Sequence, residues 1–153
     1  AIVAGDIIFS MAIESFLSVE ENSLRKEKAL LKFIESASYT GCGEFIEIMY
    51  TASSLDKIGK DTIYKIYDYK TAYYTFAAPL AAGAILAGAP EKEAGKLFQY
   101  GIYLGRAFQI KDDILGIFGD DKKTGKPGMS DIQEAKKTLL IWRAYKNSPA
   151  KDK

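Results

Sequence analysis

An all-α fold is predicted for these 153 residues on three observations. Apolar residues recur at spacings of three and four rather than in alternation, which is the helix period and not the strand period. Start and stop residues punctuate the periodic stretches: Asn22 and Ser23, Asp61, Gly88 and Pro90. Nearly half the residues (48%) are apolar, enough to bury a real core and to argue against disorder.

The elements follow in order. A first helix, 2–19, opens on the apolar run "IVAGDIIFSMAIESFL". A second, 24–55, takes its N-cap oxygen from Asn22 or Ser23, and Gly41 and Gly43 are places for it to bend or break. A third, 61–88, is capped by Asp61 and stopped by Gly88. Pro79 inside it predicts a kink, because proline removes a backbone donor and crowds the preceding turn. Residues 71–90, "TAYYTFAAPLAAGAILAGAP", carry no charge and are long enough to raise the question of a membrane span. They are rich in Ala and Gly and interrupted by Pro79, so a helix buried in protein is the better reading. A fourth helix, 91–118, has Pro90 at its first turn; at about 1.5 Å per residue it reaches roughly 42 Å, which suits a large bundle. A fifth spans 133–147, and the polar tail "NSPAKDK" frays beyond it. No repeat, low-complexity tract or linker is visible, so 1–153 reads as one domain or part of one.

Composition excludes several functions. A formal charge of +1 gives no global argument for nucleic acid. The single cysteine, Cys42, excludes an intrachain disulfide or a thiolate metal cluster and suits a reducing cytoplasm. There is no histidine, which removes Ser-His-Asp and Cys-His catalysis and imidazole-based zinc sites. Any chemistry must use carboxylates, lysines, hydroxyls and amides.

Those groups gather in "FQIKDDILGIFGDDKKTGKPGMSD", residues 108–131. On a helix Gln109, Asp112, Asp113 and Gly116 share one face. Two adjacent carboxylates at the end of an apolar helix repel unless a cation sits between them or one is protonated. Oxygen ligands without His or Cys favour Mg²⁺, which completes its shell with water and phosphate oxygens. The loop that follows has glycines at 119, 125 and 128 and Lys126 between them, a pattern that faces amides and an ammonium toward an anion. An isolated Asp-Asp pair, however, more often ends a solvated helix. Lys70 and Thr71 in "YDYKTAYYTF" stand at the head of the uncharged third-helix segment, where a lysine either snorkels or faces a cavity. Glu44 and Glu47 in "GEFIEIMY" share a face, usually a solvated edge.

In order, "AGDIIFSMA", "GEFIEI", "KTAYYTF" and "GRAFQIKDDILGIFGDDKKTGKPGMSDIQEAKKTLL" resemble the trans-isoprenyl diphosphate synthases, or polyprenyl synthetases. That family carries a Gly-Asp helix, a Gly-Gln-x-x-Asp helix, a Lys-Thr pair, Phe-Gln-x-x-Asp-Asp-x-x-Asp, a Gly-Lys loop and a late Gly-Lys-x-Thr-Leu segment. "DDILGIFGD" resembles the archaeal short-chain branch, such as geranylgeranyl diphosphate synthases, where Gly at the last motif position is familiar. The departures are Gly116 for the closing Asp, Glu44 for Gln, Glu47 for Asp, and Ala135 for the Gly of the late segment. The family's first aspartate-rich motif lies upstream of the Gly-Asp helix and has no counterpart here. The sequence therefore reads as the middle-to-late part of an antiparallel helical bundle, incomplete at its N-terminus and C-terminus.

The resemblance implies a prenyltransferase that condenses an allylic diphosphate with isopentenyl diphosphate, with Mg²⁺ as cofactor. It makes Asp112 the foremost metal ligand, with Asp113 in support. Lys70 and Lys126 would contact the allylic diphosphate, and Thr71 and Gln109 would stand where the allylic cation forms. Asp131 and Lys136 match charged positions after the loop, Lys136 on the substrate side. It further implies a homodimer paired through the early helices, while the composition itself predicts a cytoplasmic chain with no nucleic-acid partner and no membrane span. Without the first motif, this chain alone is expected to be inactive. Two other readings remain open: a non-catalytic helical subunit that modulates an active partner, and a class I terpene cyclase, which "DDILG" followed by "GKPG" fits less well.

Overall fold

A computed structural model of the chain describes residues 1–119 and 130–149. Among these residues the regular structure is helical: α1 (Ile2–Leu17), α2 (Ser23–Thr51), α3 (Lys60–Tyr67), a π-helical segment (Asp68–Ala77), α4 (Ala78–Leu86), α5 (Glu91–Phe118), α6 (Ser130–Gln133) and α7 (Leu139–Asn147). A single 3₁₀ turn, Leu55–Lys57, lies between α2 and α3.

Local signals set most boundaries. The Asn22 side chain accepts from the Leu24 and Arg25 amides at 3.1 and 3.3 Å, satisfying two of the donors a helix start leaves unpaired. Gly88, at φ 77°, ends α4 with paired bonds from its own amide to the Ile85 carbonyl and from the Ala89 amide to the Ala84 carbonyl. Pro90 serves as the N-cap of α5, which runs over the expected 91–118.

Four expectations need correction. Asp61 lies in the first turn of α3, and Gly59 is the N-cap. The second helix stops at Thr51, not 55. It also runs through Gly41 and Gly43 without interruption, and Gly43 serves a different purpose: a Cβ there would lie 2.6 Å from the Lys70 backbone nitrogen. Glycine lets α2 approach the π segment closely at that point. The fifth expected helix, 133–147, is two pieces, because Ala135 takes φ 52° and closes α6. Its amide bonds to the Ile132 carbonyl and the Lys136 amide to the Asp131 carbonyl, each at 3.0 Å. This is the helix-ending motif that normally uses glycine.

Pro79 stands in the first turn of α4. The ten residues before α4 wind as a π-helix, and the Ala78 amide reaches back to the Tyr73 carbonyl. Widening the turn moves carbonyls away from the proline ring and absorbs the missing donor.

The segment α3–π–α4 runs antiparallel to α5. Ala77 faces Gly101, Ala72 faces Gly105, Thr71 meets Gln109 and Tyr67 meets Asp113, so one chain advances as the other retreats. The Ala/Gly-rich uncharged run thus serves close helix packing. No helix among the described residues is long and apolar enough to cross a membrane. Two buried clusters hold the arrangement: Ala72, Ala77 and Ile102 at the close contact, and Ile58, Ile63, Tyr67 and Leu139 where α3 meets α7.

Candidate functional site

A cleft of about 370 Å³ opens where α2, α3, the π segment, α5 and the start of α7 meet. Its lining includes Lys70, Thr71, Gln109, Asp112, Asp113 and Lys136, six of the seven residues singled out from the sequence. The seventh, Lys126, lies outside the described residues, as do Gly125 and Gly128 of the same loop.

Lys70 stands early in the π segment, a geometry that recurs at functional sites because it redirects side chains. Its ammonium is held between two α2 carboxylates, in a short contact with Glu47 and at 3.2 Å from Glu44 Oε1. Burial works against the ammonium, but the hydrogen bond and charge of Glu47, then those of Glu44, outweigh it and raise the pKa above the ordinary lysine value. The expectation that these glutamates line a solvated edge is only half met: they are the counter-ions of Lys70. Their i, i+3 spacing showed that they share a face, and nothing local showed which cation that face meets.

Thr71 is buried, and its hydroxyl donates to Gln109 Oε1 at 2.7 Å. Gln109 then donates through Nε2 to Asp113 Oδ1 at 3.0 Å, and lies 3.5 Å from Asp112 Oδ2. The two aspartates have different environments. Asp112 is exposed in the cleft, whereas Asp113 is 3% exposed and has both oxygens engaged, the second by the Tyr67 hydroxyl. Burial raises the Asp113 pKa, and the donations from Tyr67 and Gln109 oppose that rise. Asp112 is therefore the oxygen donor open to a cation, and Asp113 is a fixed internal acceptor.

Across the cleft, Lys136 pairs with Asp131 and Glu134, each at 3.0 Å; burial disfavours its charge, but the bonds to Asp131 and Glu134 raise its pKa. Asp131 is itself buried, and its position explains Gly116: a Cβ on Gly116 would lie 2.6 Å from Asp131 Oδ2. The missing side chain at 116 leaves room for a carboxylate delivered from α6.

Two elements of the site had no local signal. Arg106 forms a two-pronged pair with Asp68, at 2.6 and 2.7 Å, while stacking over Tyr64, and this ties α5 to the π segment one turn before Gln109. Tyr67 reads in the sequence as an ordinary aromatic core residue.

The residues present fit a hard divalent cation in one respect. Asp112 offers an exposed carboxylate, although among the described residues no group of three or more acidic, His or Cys side chains is placed to hold a metal ion. A cation here would take its remaining ligands from water and a phosphate-bearing substrate, the habit of Mg²⁺.

The polyprenyl synthetase family model matches residues 1–153. A short chain isoprenyl diphosphate synthase of Methanothermobacter thermautotrophicus is 36% identical over the whole chain, which covers 46% of that protein. Geranylgeranyl pyrophosphate synthetase from Pyrococcus horikoshii superposes with a TM-score of 0.85 at 32% identity, over 99% of this chain and 45% of that one. Geranylgeranyl pyrophosphate synthase from Corynebacterium glutamicum, complexed with isoprenyl diphosphate and magnesium, gives a TM-score of 0.83 at 32% identity over 97% and 42% of the two chains. The chain spans less than half the length of the curated relatives described.

Proposed function

The chain belongs to the polyprenyl synthetase family, an all-α group, and on that premise we propose that it forms part of an Mg²⁺-dependent prenyltransferase domain. The reaction joins an allylic diphosphate to isopentenyl diphosphate and yields a longer trans-polyprenyl diphosphate. The observation that carries this reading is the convergence of Lys70, Thr71, Gln109 and Asp112 on one cleft from two antiparallel helices.

In the reaction the allylic C–O bond breaks and its electron pair leaves with the diphosphate. The homoallylic double bond attacks the resulting cation, and loss of a proton restores an alkene. When bound, Mg²⁺ supplies charge neutralisation to the departing diphosphate. Asp112 would hold it, with Asp113 keeping Gln109 and the helix end in place. Lys70 places an ammonium beside the leaving group, where charge develops. The Gln109 carbonyl, oriented by Thr71, lies where an allylic cation would gain from a fixed dipole. Phe108, Tyr74 and Ile66 give the cleft wall apolar surface on which the prenyl chain behind that cation would lie. Lys126 would reach the same diphosphate from the loop, and Lys136 would add charge opposite. None of this needs a protein nucleophile, in accord with a sequence that has no histidine.

The exposed apolar residues of α1, among them Ile2, Val3, Ile7, Ile8 and Met11, support a homodimer face on the early helices. Sedimentation at the monomer mass would contradict it. The free Cys42 suits a reducing compartment, and we place the enzyme in the cytoplasm, which cell fractionation would test.

Titration of the chain with inorganic diphosphate tests the site. Binding should require Mg²⁺, and Asp112→Ala should weaken it at least ten-fold; equal binding by parent and variant would overturn the metal assignment. Given an allylic diphosphate, isopentenyl diphosphate and Mg²⁺, the chain by itself should give no elongated product. Asp112 and its neighbours are one acidic cluster, and ionisation draws on charge stabilisation from a second. Robust product would refute that account.

A further inference from the structure

We propose that Tyr67 is a positioning residue for this site: its hydroxyl locks the acidic end of α5 to the start of α7, so that the cleft closes as one hydrogen-bonded unit. The inference rests on the diphosphate reading of the cleft and adds to it a residue that the metal-and-lysine scheme does not use.

The geometry fixes a direction for every proton in the network. The Leu139 backbone N–H donates to the Tyr67 oxygen at 2.8 Å. An amide can only donate, so the single Tyr67 proton is free for an acceptor, and the acceptor in reach is Asp113 Oδ2. Asp113 Oδ1 accepts from Gln109 Nε2 at 3.0 Å, and Gln109 Oε1 accepts from Thr71 at 2.7 Å. A flipped Gln109 amide would set its oxygen against the Asp113 carboxylate and lose that bond, which fixes the amide's orientation. An unbroken chain of hydrogen bonds links α7 through α3 and α5 to the π segment beside Lys70, its donors converging on Asp113 from both ends.

Burial makes this order consequential. Tyr67 is 5% exposed and Asp113 3%, so a partner lost here is poorly replaced by solvent. The Tyr67 ring packs with Ile58, Ile63 and Leu139, and that packing survives if only the hydroxyl is removed. Loss of the hydroxyl leaves Asp113 with one donor and the Leu139 amide with none. Gln109 and the neighbouring Asp112 lose their brace, and Thr138, Lys137 and Lys136, which precede α7 on the cleft wall, lose their anchor. Tyr67 thus acts through Asp113 and Leu139, not on the substrate.

The test uses the 153-residue chain, with Mn²⁺ in place of Mg²⁺ so that binding of inorganic diphosphate is read both by calorimetry and by the Mn²⁺ resonance spectrum. Tyr67→Phe should weaken Mn²⁺-dependent diphosphate binding by about ten- to a hundred-fold, the scale of one hydrogen bond to a charged group. It should also speed exchange of the Leu139 amide. Trp142→Phe is the control: Trp142 packs on the same cluster and donates to the Ile58 carbonyl at 2.8 Å, and among the described residues no bond of this network passes through it. It should lower the melting temperature yet leave diphosphate binding within two-fold. Unchanged binding in Tyr67→Phe, or equal weakening in Trp142→Phe, overturns the proposal. In the unsubstituted chain, Mn²⁺ and diphosphate should slow Leu139 amide exchange several-fold, and no change there overturns it even if Tyr67→Phe does not fold. A parent chain that binds no diphosphate with Mn²⁺ refutes the diphosphate reading itself, a failure distinct from the others.

Discussion

Gly105→Ala should destabilise the chain and loosen the cleft through a single methyl group. An ideal Cβ at Gly105 would stand 2.3 Å from Ala72 Cβ and 2.4 Å from Ala72 Cα. Ordinary carbon contacts lie at about 3.5–4.0 Å, so α5 and the π segment must part by more than about 1 Å. Ala72 is fully buried and has no flexible end to swing aside. Overpacking of this kind costs about 1–3 kcal/mol. Alanine's better helix propensity offsets about 1 kcal/mol of it, leaving a net loss of up to about 2 kcal/mol. At about 2–4 °C per kcal/mol for a chain of this size, the melting temperature should fall by up to about 8 °C. Gly95→Ala on the same helix is the matched comparison, because its Cβ would meet nothing within 4 Å. That variant should gain about 1 kcal/mol, so the two substitutions should move the melting curve in opposite directions. Since Gln109 lies one turn beyond Gly105 and bonds to the neighbour of Ala72, the Thr71–Gln109 bond should break as well, and diphosphate binding should weaken in Gly105→Ala alone. A Gly105→Ala chain as stable as Gly95→Ala would refute the close approach of these helices and the register built on it.

Two further outcomes follow from the neighbours of Lys70 and Gly116. Glu44→Gln leaves Lys70 with one carboxylate in place of two, so diphosphate titrated at saturating Mg²⁺ should bind a few-fold more tightly; unchanged or weaker binding would contradict the pairing. Gly116→Asp sets a second carboxylate against buried Asp131 and should lower stability by about 1–3 kcal/mol in a urea melt; a neutral result would mean Asp131 does not occupy that space.

The helices were legible because their causes are local. The Asn22 cap, the Gly88 stop and Pro90 at the head of α5 each act within one turn, and each stands where the periodicity placed it. The break between α6 and α7 had a faint signal, since the motif that the sequence resembles would put glycine where Ala135 stands. A left-handed residue explains that glycine, but alanine in the same place conceals it. The shared face of Gln109, Asp112 and Asp113 was likewise readable, because it depends only on the helical repeat.

By itself, then, the sequence determined an all-α chain, its main helices, and an acid-bearing helix face with a lysine and threonine elsewhere to answer it. Tertiary structure decided which of those groups are free to act. Lys70 meets Glu44 and Glu47 because Gly43 lets α2 come against the π segment. Asp113 is buried beneath Tyr67 while Asp112 stays open, although the two are adjacent, because Gly101 and Gly105 set the depth and register at which α5 docks. Asp131 fills the notch that Gly116 leaves. Each of these pairings joins residues from different helices, and a helix period specifies only which side chains share a face. What that face meets depends on how closely two backbones can approach, and that is settled by packing.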